Sequence, residues 1–227
     1  MWIAAGLTDL ILYLLDFILH LDKHLGALIQ GFGRWTHAVL FLIVFAETGL
    51  VVTPFLPGDS LLFAVGTFAA LGALDVTTAF AVLTAAAILG DSLNYRVGRS
   101  IGERVLAHPA LLARPKYRGY VERTERFYEK HGAKTIVLAR FVPIVRTFAP
   151  FVAGVGRMHY ATFLFYNVAG GVLWVAVLVF GGYFFGNIPI VRRNFTLVIL
   201  AIVVLSVLPV AAEYWRHRRE AAREKAR

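Results

Sequence analysis

The sequence contains no cysteine. That excludes disulfides, thiolate metal sites and a cysteine nucleophile. Charge is scarce as well: Asp, Glu, Lys and Arg make up 16% of the residues, against about 25% in soluble domains. There is no HExxH arrangement or other metal-ligand cluster. No nucleophile–base pair stands out, and the two hairpin stretches discussed below hold a single His, His37. These absences point away from an enzyme and call for no cofactor and no metal. The N-terminus lacks a basic leader segment, and Asp9 and Asp16 interrupt its apolar run, so it does not read as a signal peptide.

What is present is hydrophobicity. The 227 residues are 59% hydrophobic with a mean hydropathy of +0.69. Apolar runs of about 20 residues recur, as a polytopic all-α membrane protein requires. The length suits one membrane domain and little else. The net charge of +9 is unevenly spread. Ten Lys/Arg fall between Arg96 and Lys134, and six follow Trp215. In a membrane protein that asymmetry is a topology signal, not a nucleic-acid footprint.

The organising stretch is Phe45–Leu62, FAETGLVVTPFLPGDSLL. It carries Glu47 and Asp59 in an apolar setting, with Pro54, Pro57 and Gly58 between them. A broken helix in a bilayer leaves backbone groups unpaired unless it is buried in protein or lines a wet cavity. Acids at that depth cost about 2.5–3.5 kcal/mol each on insertion scales, so they are expected to face inward and have a use. The stretch therefore predicts a re-entrant hairpin over 35–73. Residues 134–156, KTIVLARFVPIVRTFAPFVAGVG, mirror it, broken by Pro143 and Pro150 and carrying Arg140 and Arg146.

Around these hairpins the chain reads as follows. Residues 1–33 form an amphipathic N-terminal helix, with Leu7, Leu10, Ile11, Leu14 and Ile18 on one face and Asp9, Asp16, His20 and Lys23 on the other. It either lies along the membrane surface or packs on the bundle. A span at 77–98 holds Asp91, Asn94 and Tyr95 in its last turns. A basic cytoplasmic loop follows over 99–133. Spans at 160–183 and 194–214 complete the 34–215 membrane domain, before a basic cytoplasmic tail at 216–227. Gly182 and Gly186 have the spacing of a close helix contact, within one chain or in an oligomer. The charge bias puts the loop and the C-terminal tail in the cytoplasm. The expected architecture is thus about three full spans and two oppositely oriented re-entrant hairpins in an inverted repeat, as in secondary transporters. If 35–53 crosses fully, the N-terminus moves to the cytoplasm.

Arginine stays charged at any working pH, and its fork of donors suits phosphate oxygens. Arg140 and Arg146 are six apart and do not share a face of a continuous helix, but a break at Pro143 would let them converge. A carboxylate in a low-dielectric cavity can take up and release protons. Hence the arginines are candidates for an anionic head group, and Glu47 and Asp59 for proton coupling. The alternatives are structural: buried pairs that clamp the hairpins, or Asp59 as a helix cap. Asp91 and Tyr95 are possible secondary members.

Three blocks carry a family resemblance: PFLPGDSLLF with its preceding acid, GDSLNYRVGRSIG, and FYEKHGAKTIVLARFVPIVRTFAPFVAGVGRM. In this order they are similar to the DedA family of bacterial inner-membrane proteins and look like the VTT-domain lipid scramblases, over roughly residues 10–215. The resemblance implies movement of lipids across the bilayer, undecaprenyl phosphate or phosphatidylethanolamine among them, and a link to the proton motive force. It places the family's required acids on Glu47 and Asp59 and its required arginines on Arg140 and Arg146. The leading expectation is a proton-coupled flippase for undecaprenyl phosphate. The alternatives are a proton-coupled cation or drug antiporter and a phosphatidylethanolamine flippase or scramblase.

Overall fold

The computed structural model describes residues 21–50, 58–107 and 132–189, with Val191, Asn194, Leu197, Val198, Leu200 and Ala201 beyond them. The expected helix before residue 21, Pro54 and Pro57, most of the basic loop, most of the 194–214 span and the tail lie outside the described residues. What is described is all helical. The helices are α1 (Leu21–Phe32), α2 (Thr36–Gly49), α3 (Gly58–Ala70), α4 (Val76–Ala107), α5 (Thr135–Ala139), α6 (Pro143–Val155) and α7 (Tyr160–Gly186). A single 3-10 turn, Gly33–Trp35, joins α1 to α2. Gly31 lies inside α1.

Two of these helices are long and apolar enough to cross a bilayer, α7 and the Val76–Arg104 part of α4. Large apolar side chains on α7 are open to the surroundings, Phe165 at 69% and Phe184 at 70% exposure. This is the surface a lipid-facing helix presents. α4 runs nine residues past the expected end at Gly98. The reason is packing: Gly98 and Gly102 face the backbone of Phe151 and Val155 on α6, where a side chain would not fit. They mark a close helix approach, not a helix end. Asp91 therefore sits mid-helix.

Contacts divide the chain into two compact units. The first holds Met1–Leu40, Pro57–Val82 and Val175–Leu205. Within it, α3 lies against the C-terminal half of α7. Gly182 faces the Phe63 backbone so closely that any Cβ would overlap it, and Thr67 Oγ1 donates across the contact to the Gly182 carbonyl at 3.2 Å. Asp75 starts α4 from this unit: its Oδ1 accepts from the Thr78 amide at 2.7 Å and from the Thr78 hydroxyl at 2.6 Å. That is the N-cap arrangement. The hydrogen bonds from the Thr78 side chain and backbone hold the Asp75 carboxyl below its usual range.

The second unit holds Phe41–Leu56, Leu83–Trp174 and Ser206–Arg227. Its core gathers Tyr95, Ile136, Ala139, Ala149, Ala153 and Phe163. Tyr95 stacks on Phe163 with centroids 4.4 Å apart and donates its hydroxyl to the Met158 carbonyl. The turn after α6 supplies that acceptor. The Met158 amide reaches back to the Ala153 carbonyl and the Arg157 amide to Gly154, the Schellman pattern. Arg157 holds the left-handed position, at φ 54°, where glycine is the usual choice. Pro150, expected to break the second hairpin, lies inside α6, which continues to Val155. It cannot donate to the Arg146 carbonyl one turn back, yet the helix holds because Ala149 and Pro150 are buried against the rest of the unit. Pro143 is the first residue of α6, where its missing amide is harmless.

Replacing Arg157 with Gly relieves the left-handed strain. We expect stabilisation of about 1 kcal/mol, seen as a higher unfolding midpoint in detergent. Asp75→Ala removes the cap of α4. A carboxyl held low in the folded state stabilises above its ordinary range and loses that effect as pH falls through its lowered pKa. Melts should therefore separate wild type from Asp75→Ala at neutral pH and converge below about pH 4.

Candidate functional site

The second unit encloses a cavity of about 260 Å³, counted out to its mouth, lined by Glu47, Thr48, Asp91, Arg140, Arg146, Thr147 and Trp174. Each lining charge arrives for a local reason. Glu47 rides the last turn of α2, directly after the apolar run Ala38–Ala46. Arg140 caps the five-residue α5. Val142 then turns extended, as a residue before proline must, and Pro143 opens α6. This break lets Arg140 and Arg146, on successive helices, line one space.

The charges are paired. Arg146 donates to Glu47 Oε1 at 2.6 Å, with side chains 10% and 1% exposed. Arg140 donates to Asp91, with side chains 4% and 5% exposed. Arg140 also donates to the Asn167 side-chain oxygen on α7. The Asn167 amide nitrogen is itself held by the Ile88 carbonyl, at 3.0 Å, so the orientation of its oxygen is set. The Arg140 stem lies against Gly170 and Gly171. Trp174 takes both guanidiniums on its ring, with Arg146 at 5.1 Å and Arg140 at 5.9 Å from the centroid, within cation–π range. Among the described residues, Arg140 Nε is a buried donor that meets no hydrogen-bond acceptor.

One residue ties the backbone of the two halves. Asn94 is fully buried on α4. Its amide nitrogen donates to the Thr48 carbonyl at 3.3 Å and to the Thr147 carbonyl at 2.7 Å. These follow Glu47 and Arg146 directly in sequence, so a single amide sets the register of that ion pair.

Of the residues singled out from sequence, Glu47, Arg140, Arg146 and Asp91 meet here. Tyr95 belongs to the adjacent aromatic core and takes a hydrogen bond from Arg99 at 3.3 Å. Asp59 belongs to the first unit, half-buried in the first turn of α3, which begins at Gly58. It is inside that helix and not its N-cap. Sequence reasoning missed Asn167 and Trp174 and gave Asn94 no role. No group of three or more His, Asp or Glu that could hold a metal gathers among the described residues.

Two helices of spanning length and a buried, charge-paired cavity fit the class of helical membrane proteins. The VTT domain family model matches residues 56–184. The chain is 54% identical to Protein DedA of Escherichia coli (strain K12) over 217 residues, covering 95% of this chain and 98% of that protein. It is 45% identical over 199 residues to an uncharacterized membrane protein of Mycobacterium tuberculosis, covering 84% of this chain and 85% of that one. It is 39% identical over 152 residues to the inner membrane protein YqjA of Escherichia coli (strain K12), with 67% and 68% coverage. No solved structure matches. The chain belongs to the DedA family of membrane proteins.

Asn94→Leu removes both side-chain hydrogen bonds that join α4 to the Thr48 and Thr147 carbonyls, at a cost of about 0.5–1.5 kcal/mol each. The expected result is a lower unfolding midpoint in detergent for Asn94→Leu, with Asn94→Gln intermediate. A midpoint equal to wild type in Asn94→Leu would remove the proposed clip.

Proposed function

We propose that this protein is a proton-coupled lipid transporter of the bacterial inner membrane, moving an anionic lipid phosphate, with undecaprenyl phosphate as the first lipid to test. The observation that carries the reading is the convergence of Arg140 and Arg146 in one buried cavity with carboxylates beside them. Two guanidiniums suit a phosphate head group. The unspent Arg140 Nε is a donor such an anion would satisfy. Glu47 and Asp59 carry the coupling protons, and the role is transport, with no chemical conversion of the lipid.

In this reading α2 with α3, and α5 with α6, are re-entrant hairpins of opposite orientation in an inverted repeat. Helices of 14, 13, 5 and 13 residues reach about 21 Å or less at about 1.5 Å per residue, short of the bilayer core of about 30 Å. The basic loop and the C-terminal tail are cytoplasmic, by their excess of Lys and Arg. A cation or drug antiporter would use the acids alone; the pairing of Glu47 and Asp91 with arginines speaks against it.

The experiment is flipping of undecaprenyl phosphate in proteoliposomes, with and without a proton gradient. Arg140→Ala and Arg146→Ala should abolish it without preventing insertion. Glu47→Gln and Asp59→Asn should lose the gradient dependence. Tolerance of both arginine changes, with proton release on adding cationic dyes, would favour the antiporter instead.

A further inference from the structure

An anion at Arg140 and Arg146 meets an obstacle, because both guanidiniums already hold a carboxylate. The four side chains are between 1% and 10% exposed, so both pairs are desolvated. Two carboxylates and two guanidiniums make the cavity lining formally neutral. A phosphate monoester brings about −1.5 to −2 charge at neutral pH. Set against a neutral lining, that charge would be buried uncompensated, which is strongly disfavoured.

Building on the lipid-phosphate reading, we propose that the cavity exchanges protons for phosphate, one proton per ion pair, with Asp91 as a coupling residue alongside Glu47 and a phosphate monoester as the substrate class; Asp59, in the first unit, does not line this cavity and is not counted in the exchange. As the phosphate enters, Glu47 and Asp91 each take one proton from water on the side to which the site is open. Both become neutral carboxylic acids. The guanidiniums keep their charge and turn their N–H donors from carboxylate to phosphate oxygens. Two positive charges then face two negative ones, and the cavity is neutral again. Release on the other side reverses each step and returns the protons there. A phosphodiester has a single charge and matches one pair only.

The surroundings of both acids fit this assignment. Asp91 on α4 faces Arg140 at the end of α5, which Asn167 on α7 also holds. Glu47 on α2 faces Arg146 on α6. Trp174 on α7 lies against both guanidiniums. The lining has no titratable side chain among the described residues beyond the two acids and two arginines. Asn167 keeps Arg140 hydrogen-bonded when Asp91 is neutral, so the guanidinium retains one fixed partner during the exchange.

The test is calorimetric titration of the full-length protein in detergent with an alkyl phosphate monoester, a dialkyl phosphate and inorganic phosphate. It is run in buffers of different ionisation enthalpy, at pH values above the second phosphate pKa of about 6. Each proton taken up strengthens binding about tenfold per unit fall in pH. The monoester should take up about two protons at the wild-type cavity. Asp91→Asn and Glu47→Gln should each take up one fewer, and the double variant two fewer, with binding retained. Asp91→Glu should restore the wild-type count and so separates a coupling role from a folding defect. The diester should take up one fewer than the monoester.

A wild-type proton count in a well-folded Asp91→Asn that still binds overturns the role of Asp91. An equal count for diester and monoester overturns the substrate class. Binding that needs Arg146 but moves no protons overturns the exchange and leaves the lipid-phosphate reading standing. No binding by the wild type, or binding that survives Arg146→Ala, overturns both. If inorganic phosphate binds with the full count and the alkyl phosphate does not, the exchange stands with free phosphate as its ligand.

Discussion

Two arginines inside an apolar helical unit are the constraint on which the rest of the second unit depends. A buried guanidinium without a counter-charge is among the most destabilising features a fold can carry. The chain meets that demand with a carboxylate for each: Glu47 from α2 and Asp91 from α4. Four helices must therefore be in register at once, because the partners come from α2, α4, the α5 end and α6. Asn94 and the close glycine contacts of α4 with α6 provide that register through backbone contacts. The ion pairs need not contribute net stability to be decisive. Burying them makes every misaligned packing costly, so they select one arrangement.

The same arrangement leaves the site capable of change. Glu47 and Asp91 are the only lining groups among the described residues that can become neutral at ordinary pH, since arginine cannot. Trp174, Asn167 and the glycines beneath the Arg140 stem carry no group that changes charge at ordinary pH. The site thus has a fixed part and a titrating part.

Much of this was legible in the sequence because charge in an apolar run is a conspicuous signal. Glu47, Arg140 and Arg146 stand out on that ground alone, and Pro143 marks the break that brings the arginines onto one cavity. Asp91 was visible as a charge, but Arg96 and Arg99 read as the basic end of a span stopping at Gly98 and moved it toward the interface. Glycine packed on a neighbouring backbone and glycine ending a helix look identical in one dimension. Pro150 misled in the converse way: a proline predicts a break, and burial in the unit holds α6 straight through it. Asn94, Asn167 and Trp174 carried no signal of their own. Their importance lies in what they reach across space, to Thr48, Thr147 and both arginines, and no local pattern encodes that. Over Pro54, Pro57 and residues 108–131 the sequence reading stands alone.

Trp174 has a consequence of a different kind. Its indole lies about 5–6 Å from each guanidinium, and two of the other three tryptophans, Trp2 and Trp215, are near the ends of the chain. Indole emission responds to the electric field around the ring. The protein therefore carries an intrinsic optical gauge beside its two buried ion pairs, and needs no attached dye to report on them.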